Sequence, residues 1–183
     1  EVLPRAGEDH HGDGRAEVIA AAFDSTQLSI SAVRIDSGLT RLEPLGGIDL
    51  GLPIQNVVPA DLDGDGRVDF VVAVAGGIRL VRNVEPAANF LLQLEAVPTA
   101  GVLAPGSGPF EIAVGDVDGD GRLDLCAAYH EANKVVLLRG TAQPFEFAAA
   151  QELAIGGRPL GLAIGDFDAD GRQEIAVARL EAA

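Results

Sequence analysis

The apolar residues of this chain fall in short runs, and the runs recur in pairs around an acidic segment. Val57-Val58-Pro59-Ala60, Ile112-Ala113-Val114-Gly115 and Leu162-Ala163-Ile164-Gly165 each precede one such segment. Val18-Ile19-Ala20-Ala21, Phe70-Val71-Val72-Ala73, Leu125-Cys126-Ala127-Ala128 and Ile175-Ala176-Val177-Ala178 each follow one. Runs this short, bounded by Gly, Asp or Pro, predict buried strands rather than helices. Further strands are predicted at Leu28–Arg34, Ile78–Val81, Leu91–Leu94, Lys134–Leu138 and Phe145–Ala149. No long stretch carries a capped apolar face of helical period.

The acidic segments are copies of one motif. They read Asp9-His-His-Gly-Asp-Gly-Arg-Ala-Glu17, Asp61-Leu-Asp-Gly-Asp-Gly-Arg-Val-Asp69, Asp116-Val-Asp-Gly-Asp-Gly-Arg-Leu-Asp124 and Asp166-Phe-Asp-Ala-Asp-Gly-Arg-Gln-Glu174. Their starts lie 52, 55 and 50 residues apart, a period that marks a repeat architecture. About four short strands fit each period, and a unit that small must stack on neighbours to bury its faces. Radial stacking of four-stranded antiparallel sheets makes a β-propeller. The predicted fold is therefore all-β, a single propeller region over residues 1–183 with about three and a half blades. The approximate blades are 1–52, with a poor first strand, then 53–107, 108–157 and an incomplete 158–183. Two strands of the fourth are unaccounted for, so the ring is expected to be completed by missing chain segments or by another copy. The chain lacks Met and begins on Glu1, so it is expected to be processed or a piece of something longer.

In each loop, carboxylates at alternate positions converge on one point and repel unless a cation lies among them. Hard oxygen donors at this density suit Ca²⁺, with the carbonyl at position seven as a further ligand. The candidate ligands are Asp9, His11, Asp13, Arg15 and Glu17 in the first loop and Asp61, Asp63, Asp65, Arg67 and Asp69 in the second. Asp116, Asp118, Asp120, Arg122 and Asp124 form the third set, and Asp166, Asp168, Asp170, Arg172 and Glu174 the fourth. Each Arg contributes its carbonyl, its side chain covering the loop. Position six is always Gly, whereas position four admits Ala169, so position six alone is expected to require positive φ. An EF-hand begins in the same way but needs a bidentate Glu at position twelve and flanking helices. Position twelve here is Ala20, Val72, Ala127 or Val177, inside an apolar strand, which excludes it.

These loops, with lead-ins such as Pro109-Phe-Glu-Ile-Ala-Val-Gly115 and followers such as Lys134-Val-Val-Leu-Leu-Arg139, resemble the FG-GAP/VCBS repeats of integrin α-subunit propellers and their bacterial relatives. The resemblance implies that the Asp-rich loop joins the first two strands of a blade and binds calcium, up to four ions here. The first site is expected to be the weakest, because His11 replaces an Asp. Glu17 and Glu174 keep the charge of position nine but reach further.

Composition narrows the function. With 28 acidic against 13 basic residues and a formal net charge of −15, the chain is unsuited to nucleic-acid phosphates or anionic lipid. No run is apolar enough for membrane insertion. Cys126, the only cysteine, excludes an intrachain disulfide and aligns with apolar positions, so it reads as a buried small residue. Tyr129-His130-Glu131 reads as a solvent-facing turn, and the pair His10-His11 has no third ligand for zinc. The leading reading is a non-catalytic, calcium-stabilised module for adhesion or for recognition of a protein or glycan ligand. Its expected setting is extracellular, periplasmic or at the cell surface, where calcium is high enough to fill the loops. The alternative is the propeller body or accessory module of a secreted polysaccharide lyase or hydrolase, or a lectin. No Trp, one Tyr and one Lys count against sugar platforms and lyase chemistry, and the carboxylates are committed to metal.

Overall fold

The computed structural model describes residues 5–6, 17–21, 25–36, 39–84, 93–97 and 109–181, and every regular element among them is a strand. Strands β1 (Arg5–Ala6), β2 (Glu17–Ala21), β3 (Gln27–Asp36) and β4 (Leu39–Asp49) form the first sheet in chain order. Strands β5 (Ile54–Ala60), β6 (Asp69–Val74), β7 (Gly77–Val84) and β8 (Gln93–Ala96) form the second in the same way. The third holds β9 (Glu111–Gly115), β10 (Asp124–Tyr129), β11 (Lys134–Leu138) and β12 (Gln151–Ala154). A fourth sheet pairs β13 (Gly157–Gly165) with β14 (Glu174–Glu181). All pairs are antiparallel, and the whole is a partial β-propeller.

The uninterrupted apolar runs follow from this stacking. Side chains alternate between the two faces of a strand, so a strand with a sheet on either side is apolar at every position. In β6, Phe70, Val72 and Val74 pack with Leu28, Ile30 and Leu45 of the first sheet. Val71 and Ala73 point the other way, onto Ile112, Leu125 and Tyr129 of the third. In β10, Leu125, Ala127 and Tyr129 face the second sheet, while Cys126 and Ala128 face Leu162, Ile164, Ile175 and Val177 of the fourth. Burial pushes the Cys126 thiol up to about 12, which leaves it inert. The third and fourth sheets approach closely at Gly115, where an added Cβ would lie 2.5 Å from Ile164 Cγ2.

Two expectations are corrected. Phe145–Ala149 is not a strand: Gly140 and Phe147 make an isolated bridge, and the fourth strand of this sheet is β12. The cause is local. Pro144 precedes Phe145, which takes φ +61°, and Glu146 N donates to Gln143 O at 3.2 Å, the pattern of a type II turn. The alternation of Phe145 and Phe147 instead lets a loop pack two aromatic rings onto the core between the second and third sheets. Tyr129 is likewise not a turn residue but the buried end of β10, its hydroxyl pushed up to about 12 by burial; the turn begins at His130. Of Leu91–Leu94, the first two residues lie outside the described residues, and the remainder falls in β8. Among the described residues no helix is long and apolar enough to cross a membrane.

Candidate metal centres

Each described acidic loop links the first two strands of its sheet: Asp61–Asp69 between β5 and β6, Asp116–Asp124 between β9 and β10, Asp166–Glu174 between β13 and β14. The first carboxylate of the loop organises it. Asp61 Oδ1 accepts from Gly64 N at 2.8 Å and Asp65 N at 3.2 Å, and Oδ2 accepts from Gly66 N at 2.9 Å. Asp116 repeats this with Gly119 N at 2.8 Å, Asp120 N at 3.1 Å and Gly121 N at 2.8 Å. Asp166 accepts from Asp170 N at 3.1 Å and Gly171 N at 3.0 Å. The chain can wrap so tightly only by entering the left-handed region twice. Position six does so at Gly66, Gly121 and Gly171, with φ +82°, +84° and +89°. Contrary to the sequence reading, position four does so as well, at Gly64 (+73°), Gly119 (+75°) and Ala169 (+63°). Ala169 therefore carries strain that its glycine counterparts avoid.

Position nine is the anchor. Asp69 and Asp124 are fully buried, and both oxygens of each are engaged by backbone donors. Leu62 N reaches Asp69 Oδ2 at 3.0 Å and Asn83 N, on β7, reaches Oδ1 at 2.9 Å. Val117 N and Gly140 N, the latter just after β11, do the same for Asp124, each at 2.9 Å. Glu174 accepts from Phe167 N at 2.9 Å. Burial raises the Asp69 carboxyl to about 6, against the lowering effect of its two N–H donors and with the help of repulsion from Asp63 and Asp65.

Three carboxylates converge in each described loop, from positions one, three and nine: Asp61, Asp63 and Asp69; Asp116, Asp118 and Asp124; Asp166, Asp168 and Glu174. In each trio one oxygen per residue lies within 4.8 Å of the others. Position five is not among them. Asp65 Oδ1 accepts from Arg67 N at 2.8 Å, Asp120 Oδ1 from Arg122 N at 2.9 Å, and Asp170 Oδ1 from Arg172 N at 2.9 Å. The Arg67 and Arg122 guanidinium groups also pair with Asp65 and Asp120. Their Nε atoms donate to Asn83 O at 3.1 Å and Gly140 O at 3.3 Å, so these side chains do cover their loops. Of the first loop, Asp9, His10, His11, Asp13 and Arg15 lie outside the described residues, and only the backbone of Glu17 is placed, at the start of β2.

Sequence reasoning overlooked two arginines that the fold brings to position three. Arg82 Nη2 lies 2.7 Å from Asp63 Oδ2, and Arg139 Nε lies 3.5 Å from Asp118 Oδ2. The signal that could have found them is their shared place, each directly before the residue whose N–H caps position nine.

The donor set suits a hard dication. Hydrogen bonds to the trios leave each carboxylate with lone pairs to spare, since an ionised carboxyl offers about four acceptor sites. Comparison with known families bears on the same loops. The model of the FG-GAP-like repeat matches residues 9–72, 61–127 and 116–177, each match running from one acidic loop through the next. Among curated proteins, none matches the chain significantly.

Proposed function

Because the chain belongs to the FG-GAP-like repeat family, we propose that it is a non-catalytic β-propeller module whose acidic loops bind Ca²⁺ and which serves adhesion or ligand recognition outside the cell. The observation that carries the calcium reading is the threefold convergence of carboxylates from positions one, three and nine, all oxygen donors, on equivalent loops. In this reading Asp61, Asp63 and Asp69 hold one ion, Asp116, Asp118 and Asp124 a second, and Asp166, Asp168 and Glu174 a third. The carbonyls of Arg67, Arg122 and Arg172 and the position-five carboxylates complete the shells. Asp9, His11, Asp13 and Glu17 form a fourth site, weakened by the imidazole.

When bound, calcium supplies the positive charge that offsets repulsion among the carboxylates of each trio. The chain's own part is preorganisation. Asp61 and Asp116 gather the backbone of the loop, and Asp69 and Asp124 tie it to the neighbouring strand. A site with a dissociation constant of about 10 µM in roughly millimolar calcium would add about 2.7 kcal/mol to the stability of the fold. Several such sites rival the net stability of a whole domain. Free calcium inside cells lies too low to fill sites of that strength, which supports an extracellular, periplasmic or cell-surface setting. The ligand is a protein or glycan met there.

Calorimetric titration of chelator-stripped protein with calcium, read beside its melting temperature, tests this. At least two ions should bind, and the melting temperature should rise with calcium. Binding of fewer than two, or binding without stabilisation, overturns the calcium reading.

A further inference from the structure

In the second and third loops the position-three carboxylate meets an arginine on, or just after, the third strand of its own sheet. Asp63 is 5% exposed, its Oδ2 is buried without a hydrogen bond of good geometry, and the Arg82 guanidinium stands 2.7 Å away as an ion pair. Arg82 also meets an aromatic ring: its guanidinium carbon lies 5.7 Å from the centre of the Phe145 ring. Phe145 belongs to the third sheet's turn, and its left-handed φ of +61° is a conformation that a bulky side chain adopts only when its surroundings impose it. The guanidinium therefore contacts both a carboxylate of the second sheet's loop and an aromatic ring of the third. In the third sheet Arg139 stands in the same relation to Asp118, at the longer distance of 3.5 Å. Among the described residues no arginine pairs with Asp168, the position-three residue of the fourth loop.

We infer that Arg82, and more weakly Arg139, is a built-in counter-cation that competes with a metal ion for the position-three carboxylate. This rests on the calcium reading above. In the metal-free loop the guanidinium neutralises a carboxylate that would otherwise be buried, unpaired and repelled by its neighbours. To enter the trio, a dication must share or take over Asp63 Oδ2, and the arginine must yield. The arginine thus lowers the affinity of the loop while keeping the empty loop folded. The ligand class is a divalent cation taken by oxygen donors.

The test uses Arg82→Gln, which removes the charge and leaves a shorter, neutral hydrogen-bonding side chain, with Arg82→Lys as the variant that keeps the charge. Both are compared with the parent in a background carrying Asp118→Asn and Asp168→Asn, which weakens the other described loops, and folding of each protein is checked by circular dichroism. Calcium is the probe, titrated calorimetrically. Arg82→Gln should bind calcium about two- to fivefold more tightly at the second loop, the range expected for removing a partly exposed ion pair. In chelator it should melt below the parent, and saturating calcium should narrow that gap; Arg82→Lys should stay close to the parent in both. In the otherwise unchanged protein, Arg139→Gln should give the smaller shift. If the parent binds calcium and Arg82→Gln binds it equally or less tightly, the inference is overturned while the calcium reading stands. If even the unmodified protein binds no calcium, the calcium reading falls first, and unchanged melting of Arg82→Gln in chelator would separately remove the counter-cation role.

Discussion

The second and third acidic loops and the fourth share one nine-residue pattern, yet they are built into different surroundings. Behind the second and third stands a third strand. Its Asn83 N, or Gly140 N just beyond it, closes on the position-nine carboxylate, and Arg82 within it or Arg139 directly after it reaches position three. Among the described residues, β14 has a partner only in β13, and Glu174 at position nine has a single backbone donor, Phe167 N. The contrast extends into the strands: β6 and β10 are buried at every position, whereas β14 is largely exposed. The acidic pattern alone therefore does not supply these contacts. The third strand and the residues directly after it provide a hydrogen-bond donor for one carboxylate and a counter-charge for another.

The sharpest way to break this comparison is to remove position nine from each kind of loop. Asp124→Ala leaves Val117 N and Gly140 N without acceptors inside the protein. It should cost about 3 kcal/mol, the range for stranding buried donors. Glu174→Ala frees one donor, Phe167 N, at an exposed position that water can reach, and should cost within about 1 kcal/mol. Chemical denaturation in the presence of chelator measures both without any metal contribution. Equal losses would mean that the third strand adds nothing to the anchor.

A smaller effect separates the second loop by pH. The Asp69 carboxyl lies near 6 in the metal-free fold, above the usual carboxylate value of 3.8, because burial disfavours its charge. A raised carboxyl binds its proton more tightly when folded, so its contribution to metal-free stability is full at pH below about 4 and lost as pH rises through 6. Calcium needs the ionised form, and affinity moves the other way: at the second loop it should fall by up to about tenfold per pH unit below 6. Titrations at pH 7, 6 and 5 check this. Constant affinity across that range would show that Asp69 is not a ligand.

How much of this could be read beforehand depends on how local the cause is. The second strands were legible because two flanking sheets demand apolar residues at every position, as in Phe70-Val71-Val72-Ala73. Strand β12 was not, because Gln151-Glu152-Leu153-Ala154 is largely exposed and carries no alternation. The alternating Phe145 and Phe147 mimicked a strand, since a loop packed on a core obeys the same rule of inward apolar side chains. Within the loops, spacing identified positions one, three and nine. Position five stands apart from the cluster, and in the second and third loops the Arg two residues on bonds to it through both backbone and guanidinium. Arg82 was invisible because it meets Asp63 across 19 residues of chain, a pairing that only the fold specifies.

The smallest expected effect also bears on a misreading, the tolerance of position four. Ala in that position looked like evidence that the backbone there was ordinary, yet Gly64, Gly119 and Ala169 all take left-handed φ. A Cβ at Gly64 or Gly119 would meet no atom within 4 Å, so the cost of a side chain at this position comes from the backbone conformation rather than from crowding. An L-residue in this region is disfavoured by roughly 1–2 kcal/mol, part of which glycine returns as greater freedom in the unfolded chain. Ala169→Gly should therefore stabilise the fourth loop by about 1 kcal/mol or less, and Gly119→Ala should destabilise the third by a similar amount. Because Glu174 has one backbone donor among the described residues where Asp124 has two, the gain from Ala169→Gly should appear chiefly as slower amide exchange in residues 166–174, whereas the loss from Gly119→Ala should register in global unfolding. If Ala169→Gly instead destabilises the protein in chelator, position four is not paying a conformational penalty, and the fourth loop departs from its siblings in backbone as well as in support.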